Sequence, residues 1–194
     1  MALEGERTVL REEREEDIQP LAALRNDLET QAWSKTLPPD YTEAMYMQRY
    51  RDREFSYDRF DGRFIIVSKE TGDFAGTISY TGLQPRWSAT IGIMLEKKFW
   101  GSGFAYDAQE VLLKFMFQEL GLRVIRLYTH NGNDRAVRLA EKSGFRVSSR
   151  QRQSIFKNGE LYDNLMMDLL REEYFALHPD LVDNLPPLGS PGRV

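Results

Sequence analysis

The sequence predicts a mixed α/β domain with a mostly antiparallel central sheet flanked by helices. Residues 89–95 place apolar side chains on one face at the two-residue period of a strand. Residues 104–120 carry apolar side chains at three- and four-residue spacings, as in an amphipathic helix. Paired β-rich runs surround glycine turns at Gly72 and Gly159, which indicates two hairpins. A doubly wound fold would instead need strands and helices in strict alternation.

The remaining elements follow from local signals. An acidic run that ends at Asp17 suits the start of a first helix, and Pro38-Pro39 forces a loop before the second. Gly121 and Gly144 end the two later helices. In chain order we predict strand 8–11, helices 18–28 and 41–53, strands 64–68, 74–83 and 89–95, helix 103–120, strand 124–129, helix 134–143, strands 145–156 and 161–170, and a short helix from 171 before a Pro-rich tail. Without the short C-terminal helix, the order of elements is β-α-α-β-β-β-α-β-α-β-β. One parallel crossover runs through the long helix.

Composition excludes several kinds of site. The chain has 194 residues, about one domain, with no cysteine and two histidines. It therefore cannot form a disulfide or a thiolate zinc site, and a histidine-rich metal site is not expected. A net charge of −4 argues against a nucleic-acid partner. No apolar run approaches the roughly 20 residues that are needed to cross a bilayer, and the N-terminus lacks the basic-then-apolar layout of a signal peptide. We therefore expect a cytoplasmic protein with no metal and no membrane association.

The junction between strand 89–95 and the long helix predicts a pyrophosphate cradle. Gly101 and Gly103 allow close approach of a ligand to the backbone, and the helix start offers free N–H groups and a positive dipole end. A plain tight turn is the alternative. A dinucleotide fingerprint would need a third glycine where Tyr106 stands, and the Gly-Lys-Ser/Thr of a nucleotide-hydrolase loop does not occur.

A second segment gives the cradle a family context. Asn133 is followed by Glu141-Lys142 and by Gly144-Phe145, while Lys98, Gly101 and Gly103 fit the pattern Gln/Arg-x-x-Gly-x-Gly/Ala except for the lysine. Together these segments resemble the GCN5-related N-acetyltransferase (GNAT) superfamily. The resemblance covers residues 7–172 and implies the acyl-CoA N-acyltransferase fold, with 173–194 as a short, partly disordered extension. The closing hairpin is similar to ribosomal-protein alanine and diamine or spermidine acetyltransferases.

The resemblance implies transfer of an acetyl group from acetyl-CoA to a primary amine by direct attack in a ternary complex. The acceptor would be a protein N-terminus, a polyamine or another small amine, and a homodimer is common for the fold. The expected CoA-binding residues are Met94, Leu95, Lys98, Trp100, Gly101, Ser102, Gly103, Phe104, Ala105, Asn133 and Lys142. Backbone groups of Met94 and Leu95 would meet the pantetheine amides. A non-catalytic acyl-CoA-binding or regulatory domain is the alternative, because Thr90 and Ala140 stand where relatives often carry catalytic groups.

An attacking amine must be neutral, and a lysine-like amine with a pKa of about 10.4 is mostly protonated near neutral pH. A general base is therefore useful. Glu96 and His130 follow the two central strands and are the candidates, although a solvent-exposed charge beside Lys97 and Lys98 explains Glu96 better, and a loop histidine without a role explains His130 at least as well. Aromatic residues expected to line the acceptor pocket, unless they simply belong to the core, are Trp33, Tyr80, Trp87 and Tyr162.

Overall fold

The structure, a computed structural model, describes residues 2–34, 42–54, 60–183 and 185. The strands are β1 (Ala2–Glu4), β2 (Thr8–Arg11), β3 (Gly62–Ser68), β4 (Phe74–Gln84), β5 (Ser88–Leu95), β6 (Val124–His130), β7 (Arg146–Lys157) and β8 (Glu160–Leu170). The helices are α1 (Ile18–Asn26), α2 (Glu43–Glu54), α3 (Phe104–Lys114, continued by a π-helical turn), α4 (Asp134–Lys142) and α5 (Arg171–Leu177). The predicted mixed α/β fold class is confirmed. The three-residue strand β1 was not predicted.

The strands form one sheet in the order β1-β2-β3-β4-β5-β6-β8-β7. All described strand pairs are antiparallel except β5 with β6, which are joined through α3. The parallel pairing runs only from Ser88–Thr90 on β5 to Val124–Arg126 on β6. Beyond those residues the two strands diverge, so the sheet contains a gap that widens toward their C-terminal ends. Within the described residues, no helix is long and apolar enough to cross a bilayer.

Helices cover both faces of the sheet. On one face α3 buries Leu112, Leu113 and Met116 against strand residues such as Ile78 and Ile125. On the other, α1 packs Ile18, Leu21 and Ala22 against Ile65 and Val67. Both clusters follow from the apolar stripes of the two helices.

The C-terminal helix belongs to the packed domain. Tyr174 of α5 is 1% exposed and stacks on Phe117 with the ring centroids 4.8 Å apart. The expected boundary between residues 172 and 173 thus falls inside α5. Residues 184 and 186–194, which include the end of the expected extension, lie outside the described residues.

A turn between β1 and β2 is attached to the first turn of α3 by one carboxylate. Asp107 accepts hydrogen bonds from the backbone N–H groups of Glu6, Arg7 and Thr8 at 2.9, 3.0 and 2.8 Å, and from the Thr8 hydroxyl at 2.6 Å. A Cβ at Gly5 would lie 2.3 Å from this carboxylate, so the turn requires glycine there. Burial alone would raise the pKa of Asp107, but these hydrogen bonds outweigh it and lower that pKa.

Asp107→Asn is expected to lower the free energy of unfolding at neutral pH by about 2 kcal/mol, because an amide cannot accept all four bonds. Since the folded-state pKa is lowered, the stabilisation is complete above the unfolded-state value of about 3.9 and is lost as pH falls through the folded-state pKa. Urea unfolding of both proteins across this range measures the difference. Asp134→Asn, in the first turn of α4, is the control and should change stability little. A difference that stays constant down to pH 3 would contradict this account.

Candidate functional site

The cradle forms where β5 passes through a short turn into α3. Gly101 and Gly103 have φ of +74° and +86°, a backbone conformation that favours glycine. Apart from its two chain neighbours, no heavy atom of the described residues lies within 4 Å of a Cβ built on Gly101, so the space beside it is open. The first internal bond of α3 runs from the Asp107 N–H to the Gly103 carbonyl at 3.0 Å. The preceding N–H groups of Phe104, Ala105 and Tyr106 therefore have no acceptor within the helix and suit an anion.

A cavity of about 550 Å³ opens beside the cradle and is rich in cations. Arg25, Arg135, Arg138 and Lys142 all line it. Two of these are held by aromatic rings: the Arg135 guanidinium carbon lies 3.8 Å from the Trp100 ring centroid, and Lys142 Nζ lies 3.9 Å from that of Tyr106. Such a concentration of positive charge around free N–H groups fits the phosphates of a CoA molecule.

The open edge of β5 supplies backbone groups to the same cavity. The Glu96 N–H donates to the Ala75 carbonyl on β4 at 2.9 Å. Because backbone groups alternate between the two edges of a strand, those of Leu95 and Ile93 face the gap and those of Met94 face β4. The Leu95 carbonyl there accepts a bond from the Trp100 indole N–H at 3.0 Å. Met94 contributes its side chain to the cavity instead.

A second cavity, of about 370 Å³, occupies the gap between β5 and β6. Trp33, Ile93 and Asn133 line both cavities, so the two spaces adjoin. His130 lines the second one at the end of β6 and is 4% exposed. Asn133 also caps α4, where its side-chain oxygen accepts a bond from the Ala136 N–H at 3.4 Å. The capping and ligand-facing roles of Asn133 are therefore compatible.

Trp33 forms the wall at the junction of the two cavities. Its ring packs edge-on against Tyr162 at 5.1 Å and lies 6.0 Å from the His130 ring. Lys157 Nζ lies 4.0 Å from the Trp33 ring centroid and donates to the Ala32 carbonyl, and burial lowers the pKa of this amine. A Cβ at Gly132 would lie 2.4 Å from Trp33, so the wall depends on a glycine that the motif analysis did not single out.

The family model of the GNAT acetyltransferase domain matches residues 7–146 of this chain. The chain belongs to the GNAT acetyltransferase family. As a GNAT enzyme it is an acyltransferase that uses acetyl-CoA as the acyl donor, and the cradle, the cations and the open strand edge fit that molecule.

Individual relatives agree with this assignment. The uncharacterized N-acetyltransferase p20 of Bacillus licheniformis is 29% identical over 171 residues, covering 87% of this chain and 96% of the relative. Spermidine N(1)-acetyltransferase of Escherichia coli is 24% identical over 123 residues, covering 63% and 65%. A solved spermidine N-acetyltransferase of Vibrio cholerae in complex with CoA and spermine shares the fold, with a TM-score of 0.77 and 23% identity over 87% of this chain and 98% of that one.

The site residues predicted for this GNAT chain fall into two groups. Most of the expected CoA-binding residues lie at the cradle or line the first cavity, Trp33 lies at the junction of the two cavities, and His130 lines the second cavity. Glu96 instead pairs with Lys98 at 2.9 Å, and neither lines the two cavities. Tyr80 packs over Gly62, and Trp87 is 56% exposed in the turn before β5. Among the described residues, neither of these two aromatics lines the GNAT cavities.

Three cations of the GNAT cavity, Arg25, Arg135 and Arg138, were not predicted from the sequence. Arg135 and Arg138 precede Lys142 by seven and four residues, which places all three on one face of α4. That spacing was a usable signal. Arg25 comes from α1, and no local pattern connects it to the cradle.

Proposed function

We propose that this chain transfers an acetyl group from acetyl-CoA to a primary amine, with the pyrophosphate at the cradle and the pantetheine arm in the gap between β5 and β6. The observation that carries the proposal is the early end of the β5–β6 pairing at Thr90 and Arg126. It opens a passage from the cations of the first cavity to Trp33 and His130 in the second. Direct attack of the bound amine needs such a passage, because both reactants must meet at one point.

Each part of the passage has a distinct role. The N–H groups of Phe104, Ala105 and Tyr106, together with the cations of α4, bind and orient the phosphates. The N–H of Leu95 and the backbone of Ile93 are placed to hydrogen-bond amides along the gap. Acetyl-CoA supplies a thioester carbonyl for attack by the amine.

His130 is the better placed of the two proposed bases. It is buried in the lining of the second cavity with its ring 6.0 Å from that of Trp33, whereas Glu96 is engaged with Lys98 outside both cavities. In this proposal His130 takes the proton of the attacking amine, either directly or through a water molecule. Tyr162 lines neither of the two cavities and supports the acceptor end indirectly, by packing against Trp33.

We propose a small amine as the acceptor, supported by the spermidine acetyltransferases among the relatives. A protein N-terminus is the second candidate, supported by similarity over 104 residues to a putative ribosomal N-acetyltransferase of Bacillus subtilis, which is 30% identical. Release of free thiol from acetyl-CoA should be measured with polyamines, aminoglycosides and N-terminal peptides. Turnover of a polyamine alone supports the first candidate, and turnover of a peptide alone supports the second. Tight CoA binding without turnover of any amine would favour the non-catalytic alternative.

A cytoplasmic location and a homodimer stay predictions. Light scattering on the purified chain measures its molar mass in solution, and a mass equal to that of one chain would contradict the homodimer.

A further inference from the structure

Arg7 places a cation at the rim of the cradle. Its Nε and Cδ atoms lie 3.7 and 3.8 Å from the position of a Cβ built on Gly103. Gly103 itself lines the first cavity and immediately precedes the free N–H groups of α3. The Arg7 side chain is thus adjacent to the N–H groups at the start of α3, although Arg7 precedes β2, three strands away from β5 in the sheet.

The backbone that carries Arg7 is fixed on two sides. Its N–H donates to Asp107 in the first turn of α3 at 3.0 Å. Its carbonyl accepts from the Lys69 N–H after β3 at 2.8 Å. Because Asp107 belongs to the same helix turn as the cradle, the position of Arg7 relative to the cradle is set by direct bonds.

The charge of Arg7 is not neutralised within the described part of the chain. No described carboxylate lies within ion-pair distance of its guanidinium, whereas Arg11, at the end of the strand that follows, pairs with Asp17 at 2.7 Å. The Asp107 carboxylate, which binds the Arg7 backbone, already accepts four hydrogen bonds from Glu6, Arg7 and Thr8. An exposed guanidinium beside free helix N–H groups is a strong donor set for a phosphate.

We propose that Arg7 is a further CoA-binding residue, which contacts the pyrophosphate at the cradle beside Gly103. This inference rests on the proposed placement of CoA. The β1–β2 turn is accordingly part of the donor site, and Asp107 and Gly5 position Arg7 within it.

Calorimetric titration of Arg7→Ala with three ligands tests the proposal: CoA, 3′-dephospho-CoA and pantetheine. We expect the Kd to rise about tenfold for CoA and equally for 3′-dephospho-CoA, with no change for pantetheine. Arg7→Lys should recover part of the loss. Arg14→Ala is the matched control, because it removes the same charge at the other end of β2, where Arg14 pairs with Glu16 at 3.3 Å.

Three outcomes would overturn the assignment. Unchanged CoA affinity in Arg7→Ala would show that Arg7 does not bind the ligand. An equal loss for pantetheine would indicate a general distortion of the site, and a loss that vanishes with 3′-dephospho-CoA would move the contact to the 3′-phosphate. If the wild-type chain bound no CoA at all, the proposed function itself would fail.

Discussion

Replacing Gly101 by valine is expected to weaken CoA binding by about a hundredfold or more. The added side chain would enter the open space beside the cradle, which the pyrophosphate needs, and would shield the N–H groups of α3. Valine at a φ of +74° also strains the backbone by about 1–3 kcal/mol. Calorimetry with CoA gives the affinity, and thermal unfolding gives the cost in stability.

Gly72→Val separates these two effects. Gly72 has a φ of +77° and open space around it, but it lies in the β3–β4 turn and does not line either cavity. Its replacement should cause a similar loss of stability with unchanged CoA affinity. If Gly101→Val and Gly72→Val bound CoA with the same Kd, the cradle would not hold the pyrophosphate.

His130→Gln is expected to lower kcat by about a hundredfold while leaving the Kd for CoA within a factor of two. Glutamine keeps a polar side chain of similar reach at the buried end of β6, but it cannot take up a proton near neutral pH. Steady-state kinetics with the best acceptor, over pH 6–9, measures the effect. In a plot of log kcat against pH, the variant should lack the inflection that the base produces in the wild-type protein.

Glu96→Gln is the matched comparison. Its carboxylate pairs with Lys98 at 2.9 Å outside both cavities, so kcat should stay within about twofold of the wild-type value. A large loss for Glu96→Gln with little change for His130→Gln would reverse the proposed assignment of the base.

Local sequence signals were sufficient for every described strand except β1 and for the glycine turn between β5 and α3. Hydrophobic periodicity marks α3 and β5, and the two glycines at positive φ sit at their junction, so one short segment contains the whole feature. The α4 cap was predictable for the same reason, since Asn133 and Gly144 lie at its two ends.

Features that depend on distant contacts were not predictable. Strand β1 has three residues, too few for a period, and it forms because Leu3 pairs with Leu10 on β2. Arg25 reaches the cavity only through the packing of α1. An aromatic residue in a sequence does not reveal whether its side chain points toward a cavity. The sequence therefore could not distinguish Trp33, which lines both cavities, from Tyr80 and Trp87, which line neither.

The short contact between β5 and β6 also has a thermodynamic consequence. Within the described residues, three paired positions of β5 and β6 connect strands β1–β5 to strands β6–β8 in the sheet, so a ligand bound in the gap would add contacts between these two blocks of strands. Saturation at a hundred times the Kd would stabilise the native state by about 2.7 kcal/mol. We expect amide hydrogen exchange to slow most at Ile91–Leu95 and Leu127–His130, which border the gap, and to change little in β2 and β3. Bound acetyl-CoA would thereby make the two blocks of strands unfold more cooperatively than they do in the free protein.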